Sequence, residues 1–351
     1  MGAIERGADA GRLLRDLMTR DPAFVRGGGL DASDIPVFTF HSLEPRSFER
    51  RMEFLCDAGY QAIGLPAYLD ALFGRREALA KSVLITIDDG RATTWTVGYP
   101  ILKRLGMRAT AFLVTSAVHD SDEVSKTIDE ASPAERGALV ARDSSADRPF
   151  VTWGEVRAMR DVIDVESHTH LHARVAVGSE SSGEMTQAMQ SGYDAFDCPF
   201  VWVGGKLVRG RDVPMGTPLP ISLPRLAGRR AWRSVDQRFE TETEMRDAIR
   251  FDLSEARRLI REKAGAEASA LCYPWHVFSD VAKEIAAEVG YVAAFAGKAS
   301  AGPSISRSGG DAFKIARVGE DYVERLPGPH RRTLLSVLKE KFLRRAPQMR
   351  Q

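Results

Sequence analysis

Cysteine is scarce: the 351 residues hold three, Cys56, Cys198 and Cys272. They are odd in number, far apart and form no Cys-x-x-Cys pair, which argues against a disulfide framework and a cysteine zinc knot. An excess of one charge sign is also missing. Lysine and arginine total 49 against 48 acids, a formal net charge of +1, so nucleic acid meets no strong attracting field. No run approaches the ~18 apolar residues of a transmembrane helix. Met1 to Arg6 carries no apolar stretch of signal-peptide length, and the expected location is cytoplasmic. The adjacent Gly27, Gly28 and Gly29 lack the Lys-Ser/Thr ending and preceding strand of a phosphate loop. They read as a flexible linker in a polar lead-in over residues 1–34, where Leu13, Leu14 and Leu17 mark one short helical face.

What is present is strand alternating with helix, a rhythm suited to a mainly parallel sheet covered by helices. Strands are expected at Ile35–Phe40, Ile63–Leu65, Val83–Ile87, Ala109–Val114, Val162–Val165, Ala268–Tyr273, Tyr291–Phe295 and Phe313–Val318. Helices are expected between them, the longest over Glu242–Glu262. Thr152 and Glu155 have capping-box spacing ahead of another at Trp153–Met159. Two segments break the rhythm. Residues 116–149 are acidic and read as a surface insertion. Residues 175–240 are rich in glycine and proline, with a hairpin around Gly204-Gly205, and are long enough to form a lid.

The run Ser82 to Ile87 ends in Asp88-Asp89-Gly90. Paired acids at a strand's C-terminal end suit chemistry, because α/β folds bind ligands at that edge. A second cluster, His168-Thr169-His170-Leu171-His172, follows another strand-like run. Zinc takes imidazole nitrogen and carboxylate oxygen with one position left open. Asp89, His168 and His172 supply three such ligands, and Asp88 beside them is placed to take a proton from water.

With these motifs in order on successive strand ends, the chain resembles the polysaccharide deacetylases of the NodB-homology type, carbohydrate esterase family 4. Thr86-Ile87-Asp88-Asp89-Gly90 is similar to the family's Thr-Phe-Asp-Asp-Gly, and His168 to His172 to its His-Ser/Thr-x-x-His. Phe38 to Ser42 resembles the opening strand of the poly-N-acetylglucosamine deacetylase subgroup. The resemblance runs from about Ile35 to about Val318. It implies a distorted, incomplete (β/α) barrel of about seven strands. It implies one divalent ion, Zn²⁺ before Co²⁺ or Ni²⁺, on Asp89, His168 and His172, with Asp88 as general base and Thr169 supporting the loop. The implied reaction is metal-dependent hydrolysis of an N-acetyl group from an amino sugar or glycan, releasing acetate.

The third family motif, Arg-x-Pro-Pro-Tyr-Gly, departs here. Leu271-Cys272-Tyr273-Pro274-Trp275-His276 is closer to the subgroup's Tyr-Pro-Tyr-Gly form; it has no arginine and puts His276 where glycine is expected. No Leu-x-His stands near the C-terminus. His276 is therefore the first candidate acid and His41 the second, with Tyr273, Pro274 and Trp275 supporting. Trp202 and Trp232 are candidates for stacking on a sugar. Two rival readings are a deacylase acting on a different amide or imide, and an inactive metal-containing glycan-binding protein. The 35–330 region would be the deacetylase domain. Residues 331–351 read as a basic amphipathic helix, with Leu334, Leu335, Leu338 and Phe342 on its apolar side, able to lie on an anionic membrane.

Overall fold

The computed structural model describes residues 21–31, 33–144, 148–190, 192–297, 305–306 and 311–345. Leu13, Leu14 and Leu17 lie outside the described residues. Seven strands form the centre: β1 (Ile35–Phe40), β2 (Ser82–Ile87), β3 (Ala109–Leu113), β4 (Ile163–Ser167), β5 (Ala270–Cys272), β6 (Ala293–Gly297) and β7 (Ile315–Gly319). Every neighbouring pair is parallel, in the order β1-β7-β6-β5-β4-β3-β2, and β2 pairs back onto β1. The ring is thus a closed barrel one strand short of the common eight. It is distorted at β4–β5, where one residue pair, Leu271 and Ser167, holds register.

Successive residues of a barrel strand alternate between interior and helix layer. Val37, Leu84, Phe112, Cys272, Phe295 and Ile315 fill the interior, while Phe38, Val83, Ile85 and Ala111 face the helices. Parity then sends Thr39, Thr86, Asp88, His168 and Arg317 into the same interior column, above the apolar layer. Tyr68 and Leu69 from α1 (Leu65–Leu72) belong to that interior cluster. The expected strand at Ile63–Leu65 is instead a two-residue strand, Gln61–Ala62, because Pro66 and the run after it start α1 at Leu65.

The outer layer follows its periodicity. In α2 (Glu242–Leu259), Met245, Ile249, Leu253 and Ala256 form the buried stripe, and Thr241 and Glu244 cap it reciprocally. Thr152 and Glu155 close the expected capping box.

Two expectations at the ends need correction. The lead-in is integral from Asp21: Phe24 and Val25 are fully buried, and Gly28 N–H donates to the Ala23 carbonyl at 2.8 Å. Arg331 donates to the Gly27 and Gly28 carbonyls. Gly27 at φ 106° ends a 3-10 turn, so the glycines make a pinned turn, not a linker. The C-terminal helix α3 (Leu334–Arg345) turns Leu334 and the buried Val337 to the core and leaves Leu335, Phe342 and Leu343 exposed. Its expected apolar side is therefore split, because the inward stripe runs through Val337 at i+3 from Leu334.

Candidate functional site

The inward column ends in charge. Asp88 follows β2 and is 1% exposed. Arg317, from the middle of β7, meets it with both nitrogens: Nη1 donates to Oδ1 at 2.6 Å and Nη2 to Oδ2 at 2.7 Å. Nη1 also donates to Thr86 Oγ1 at 3.1 Å, and Nη2 lies 3.0 Å from Cys272 Sγ. Burial alone would push the Asp88 carboxyl up; the Arg317 guanidinium wins and holds it well below the usual carboxylate range. Asp88 is thus kept ionised. Thr39 Oγ1 and Cys272 Sγ donate weakly to Oδ2 at 3.4 and 3.6 Å. The arginine missing from the third motif is supplied by a different strand.

Asp89 points away from this pair. Its backbone has φ 72° and Gly90 has φ 75°, a left-handed turn that swings two adjacent carboxylates onto different partners. A Cβ on Gly90 would come within 2.8 Å of Leu113 Cδ2, so the glycine is needed for space as well as for φ. Arg91 Nε donates to Asp89 Oδ2 at 3.2 Å. Asp89 Oδ1 lies 3.5 Å from His168 Nε2. Ligand atoms of Asp89, His168 and His172 all fall within 4.8 Å of one another, and all three residues are buried.

These groups fit a divalent cation. His168 Nδ1 lies 2.9 Å from the Cys272 carbonyl. A carbonyl can only accept, so Nδ1 carries the proton and Nε2 turns a lone pair toward a carboxylate. Two facing acceptors at this burial are the arrangement a cation bound between them would satisfy. Burial also lowers the proton affinity of both imidazoles, that of His172 to about 3 with His168 adding to it, which keeps them neutral as ligands. His172 Nδ1 and Asp197 Oδ1 are buried without a hydrogen-bond partner and face each other at 3.8 Å. Asp88, His168 and Cys272 form a competing cluster. It fits worse, because Arg317 occupies both Asp88 oxygens and burial keeps the Cys272 thiol protonated.

The histidine loop is locked from below. Thr169 at φ 66° accepts from His172 N–H at 2.9 Å through its hydroxyl. Asp252 of α2 accepts from Leu171 N–H at 2.6 Å, and its carbonyl accepts from His170 N–H. His170 turns away, Nδ1 lying 2.9 Å from Thr115 Oγ1.

After β5, Pro274 starts a short turn in which Trp275 and His276 have φ 50° and 61°. The left-handed conformation expected of the missing glycine persists with histidine in its place. Gly297 makes room for it: a Cβ there would meet the His276 ring at 2.8 Å. Trp275 packs on His172 with ring centres 4.1 Å apart. Tyr273 is buried and stacks on Phe278. His276 Nδ1 lies 3.3 Å from Arg317 Nη2; burial, then Arg317, lower its proton affinity to about 3. His41 side chain is 47% exposed at the rim, Nε2 3.8 Å from Asp88 Oδ2.

The insertion supplies Phe196, stacked on His172 at 5.5 Å, and Asp197. Neither was predicted. Trp202 and Trp232 instead border a cavity within the insertion. Arg317 was also missed, although an arginine between Ile315, Ala316 and Val318 in an apolar strand was a visible anomaly.

Residues 75–200 match the family model described as Polysaccharide deacetylase. The Bacillus subtilis protein YxkH is 32% identical over 92 residues, 24% of this chain and 33% of that protein. The Escherichia coli poly-beta-1,6-N-acetyl-D-glucosamine N-deacetylase is 23% identical over 255 residues, 72% of this chain and 30% of that one. The chain therefore spans about a third of the length of these curated relatives. Among solved structures, a de-N-acetylase from Aggregatibacter actinomycetemcomitans superposes with a TM-score of 0.55 at 22% identity, over 81% of this chain and 94% of its own. A deacetylase domain from Bordetella bronchiseptica does so at 0.55 and 20%, over 82% and 96%. At these identities the likeness is one of fold.

Proposed function

We propose that the chain is a polysaccharide deacetylase of the NodB type, a reading supported by the family-model match over residues 75–200 and by the likeness of fold, and that it hydrolyses the N-acetyl groups of a hexosamine-containing glycan, giving acetate and a free amine. The observation that carries this is the division of labour between adjacent carboxylates: Asp88 is neutralised by Arg317, while Asp89 faces two neutral imidazoles.

Asp89, His168 and His172 would hold a divalent ion, with Zn²⁺ the best match to a mixed N/O set. Bound there, it would supply Lewis-acid polarisation of the acyl carbonyl. Asp88 receives the proton of the attacking water at Oδ2, the oxygen that faces His41. Arg317 keeps that carboxylate ionised and its plane fixed. His41 protonates the departing amine: it stands at the open rim, whereas His276 is turned toward a guanidinium. Trp275 and Phe196 wall the His172 side and exclude water. We also propose that the exposed outer face of α3 touches anionic membrane.

Acetate release from N-acetylhexosamine oligomers and a panel of acetylated amines, with and without chelator, tests the reaction. Turnover should need the metal. Asp88→Asn should lower kcat by about 10²–10⁴ while elemental analysis finds metal content unchanged. His168→Ala with His172→Ala should remove the metal. Undiminished turnover in chelated enzyme would refute the reading.

A further inference from the structure

Trp202 and Trp232 lie in different hairpins of the insertion, yet both border one cavity of about 330 Å³. Its floor is the antiparallel pair Arg174–Glu184 and Pro218–Pro224. Its sides come from the hairpin Val201–Val203/Lys206–Val208 and from Trp232. We propose that this cavity is a carbohydrate subsite, holding a sugar residue of the same glycan chain several units from the one being deacetylated. The proposal rests on the glycan deacetylation reading above.

The lining matches a pyranose. Such a ring has apolar C–H faces and a rim of hydroxyls. Both indoles are half-buried, leaving surface to meet the C–H faces. They are held in place: Trp232 meets Phe239 edge-on at 5.1 Å, and the Arg233 guanidinium lies 5.9 Å from the Trp202 ring centre. Ser179 and Glu180 line the cavity, are exposed and offer groups to the hydroxyls, whereas the Ser181 hydroxyl is taken by the Gly183 and Leu219 carbonyls. A few polar groups in an otherwise apolar concavity orient a small ligand.

The guanidinium groups of the wall are already used. Arg225 donates to both Glu240 oxygens at 2.6 and 2.9 Å, and Ala231 N–H donates to the same carboxylate. Arg233 Nε donates to Asp236 at 2.5 Å. Paired guanidinium groups leave little to recruit a phosphate or a polyanion, so a neutral polyol is the better occupant.

A chain of packed side chains links the floor strand of the cavity to the proposed metal ligands. Arg174 opens the floor strand with its guanidinium 5.2 Å from the Trp275 ring, which packs on His172. Phe200 N–H donates to the Arg174 carbonyl at 3.2 Å. Arg209 lies over both Phe196, at 4.1 Å, and Phe200, at 4.8 Å. Arg174 pairs with Pro224 and Ser181, beyond a bulge, with Pro220; the four steps of the partner strand cover about 13 Å at ~3.3 Å per residue, which demands an oligosaccharide rather than a single sugar.

The test uses the full chain and N-acetylglucosamine oligomers of graded length. Calorimetric titration of the chelated protein reads binding without turnover, and the ratio of KM for short and long oligomers reads it with turnover. Affinity should rise about tenfold for two indoles once the oligomer is long enough to reach the cavity. Trp202→Ala and Trp232→Ala should bring the ratio toward one. Ser179→Trp should do the same by occluding the open side while removing no packing, so a folding failure of the alanine variants leaves the test intact. A ratio that stays near one in the wild type, or a step that survives Ser179→Trp, overturns the subsite. If long oligomers bind with the step but no acetate appears, the deacetylation reading falls and the subsite stands. If acetate appears with equal KM at every length, the subsite falls alone.

Discussion

Without its guanidinium, Arg317 would leave the Asp88 carboxylate dehydrated and unpaired inside the barrel. Removing one partner of a buried ion pair typically costs about 3–5 kcal/mol. Arg317→Met should therefore lower the urea midpoint steeply. Arg317→Lys should recover part of the stability but not the two-point grip, so kcat should stay depressed while metal content is normal. A midpoint equal to wild type in the methionine variant would refute the pairing. Asp197 supports a different prediction. Its Oδ1 faces His172 Nδ1 at 3.8 Å, near enough to close to a hydrogen bond when the other nitrogen takes a metal; losing such a carboxylate typically costs about 10–100-fold in affinity. Asp197→Ala should weaken Zn²⁺ by that order in competition with a chromophoric chelator. An unchanged affinity would mean Asp197 only packs. Neither residue could be assigned from sequence. Asp88, Asp89, His168 and His172 were legible because each motif is contiguous and ends a strand. Arg317 stands 229 residues from Asp88, and Asp197 sits in an insertion with no periodic pattern to place it.

Loops, rather than strands, aim the site. Asp89, Thr169, His172, Trp275 and His276 all have positive φ. Each such residue costs on the order of 1–3 kcal/mol unless surrounding contacts hold it. Asp252 is one of those holds. Its Oδ1 accepts from Leu171 N–H while Oδ2 is buried without a partner. Burial, against the backbone donors of Leu171 and His170, raises its carboxyl from 3.8 to about 6. Between those values the folded chain binds more proton than the unfolded one, so stability falls as pH rises from about 4 to about 6. Asp252→Asn keeps an acceptor for Leu171 and removes the titration. Its thermal midpoint should change less than that of the wild type across this window. Parallel slopes for the two proteins would show that Asp252 does not titrate there. At this scale the helices and most strands were readable from periodicity and capping. The glycine run at 27–29 was not, because the arginine that pins it, Arg331, lies at the other end of the chain.

The two ends of the described chain meet on one side of the barrel. Arg331 ties the first turn, and Arg332 joins Glu324 and Glu340, which Arg50 also reaches. Truncation after Gly328 should therefore lower the thermal midpoint. The outer face of α3 is a separate matter. A Leu335→Ser, Phe342→Ser, Leu343→Ser triple variant should keep the midpoint and abolish co-sedimentation with anionic vesicles at low salt. Full-length protein that never co-sediments would end the membrane proposal.

Barrel closure has a timetable. β7 is hydrogen-bonded to β1 and β6, and it also carries the only cation that reaches both Asp88 oxygens among the described residues. During synthesis at ~5–20 residues per second, the 229 residues between Asp88 and Arg317 take about 10–45 s to follow. Throughout that interval the nascent barrel has a gap and a carboxylate that must stay wet. The last strand therefore dries the interior, seals the ring and pairs the Asp88 carboxylate in one event, so under the proposed function a chain that stops before β7 should release no acetate.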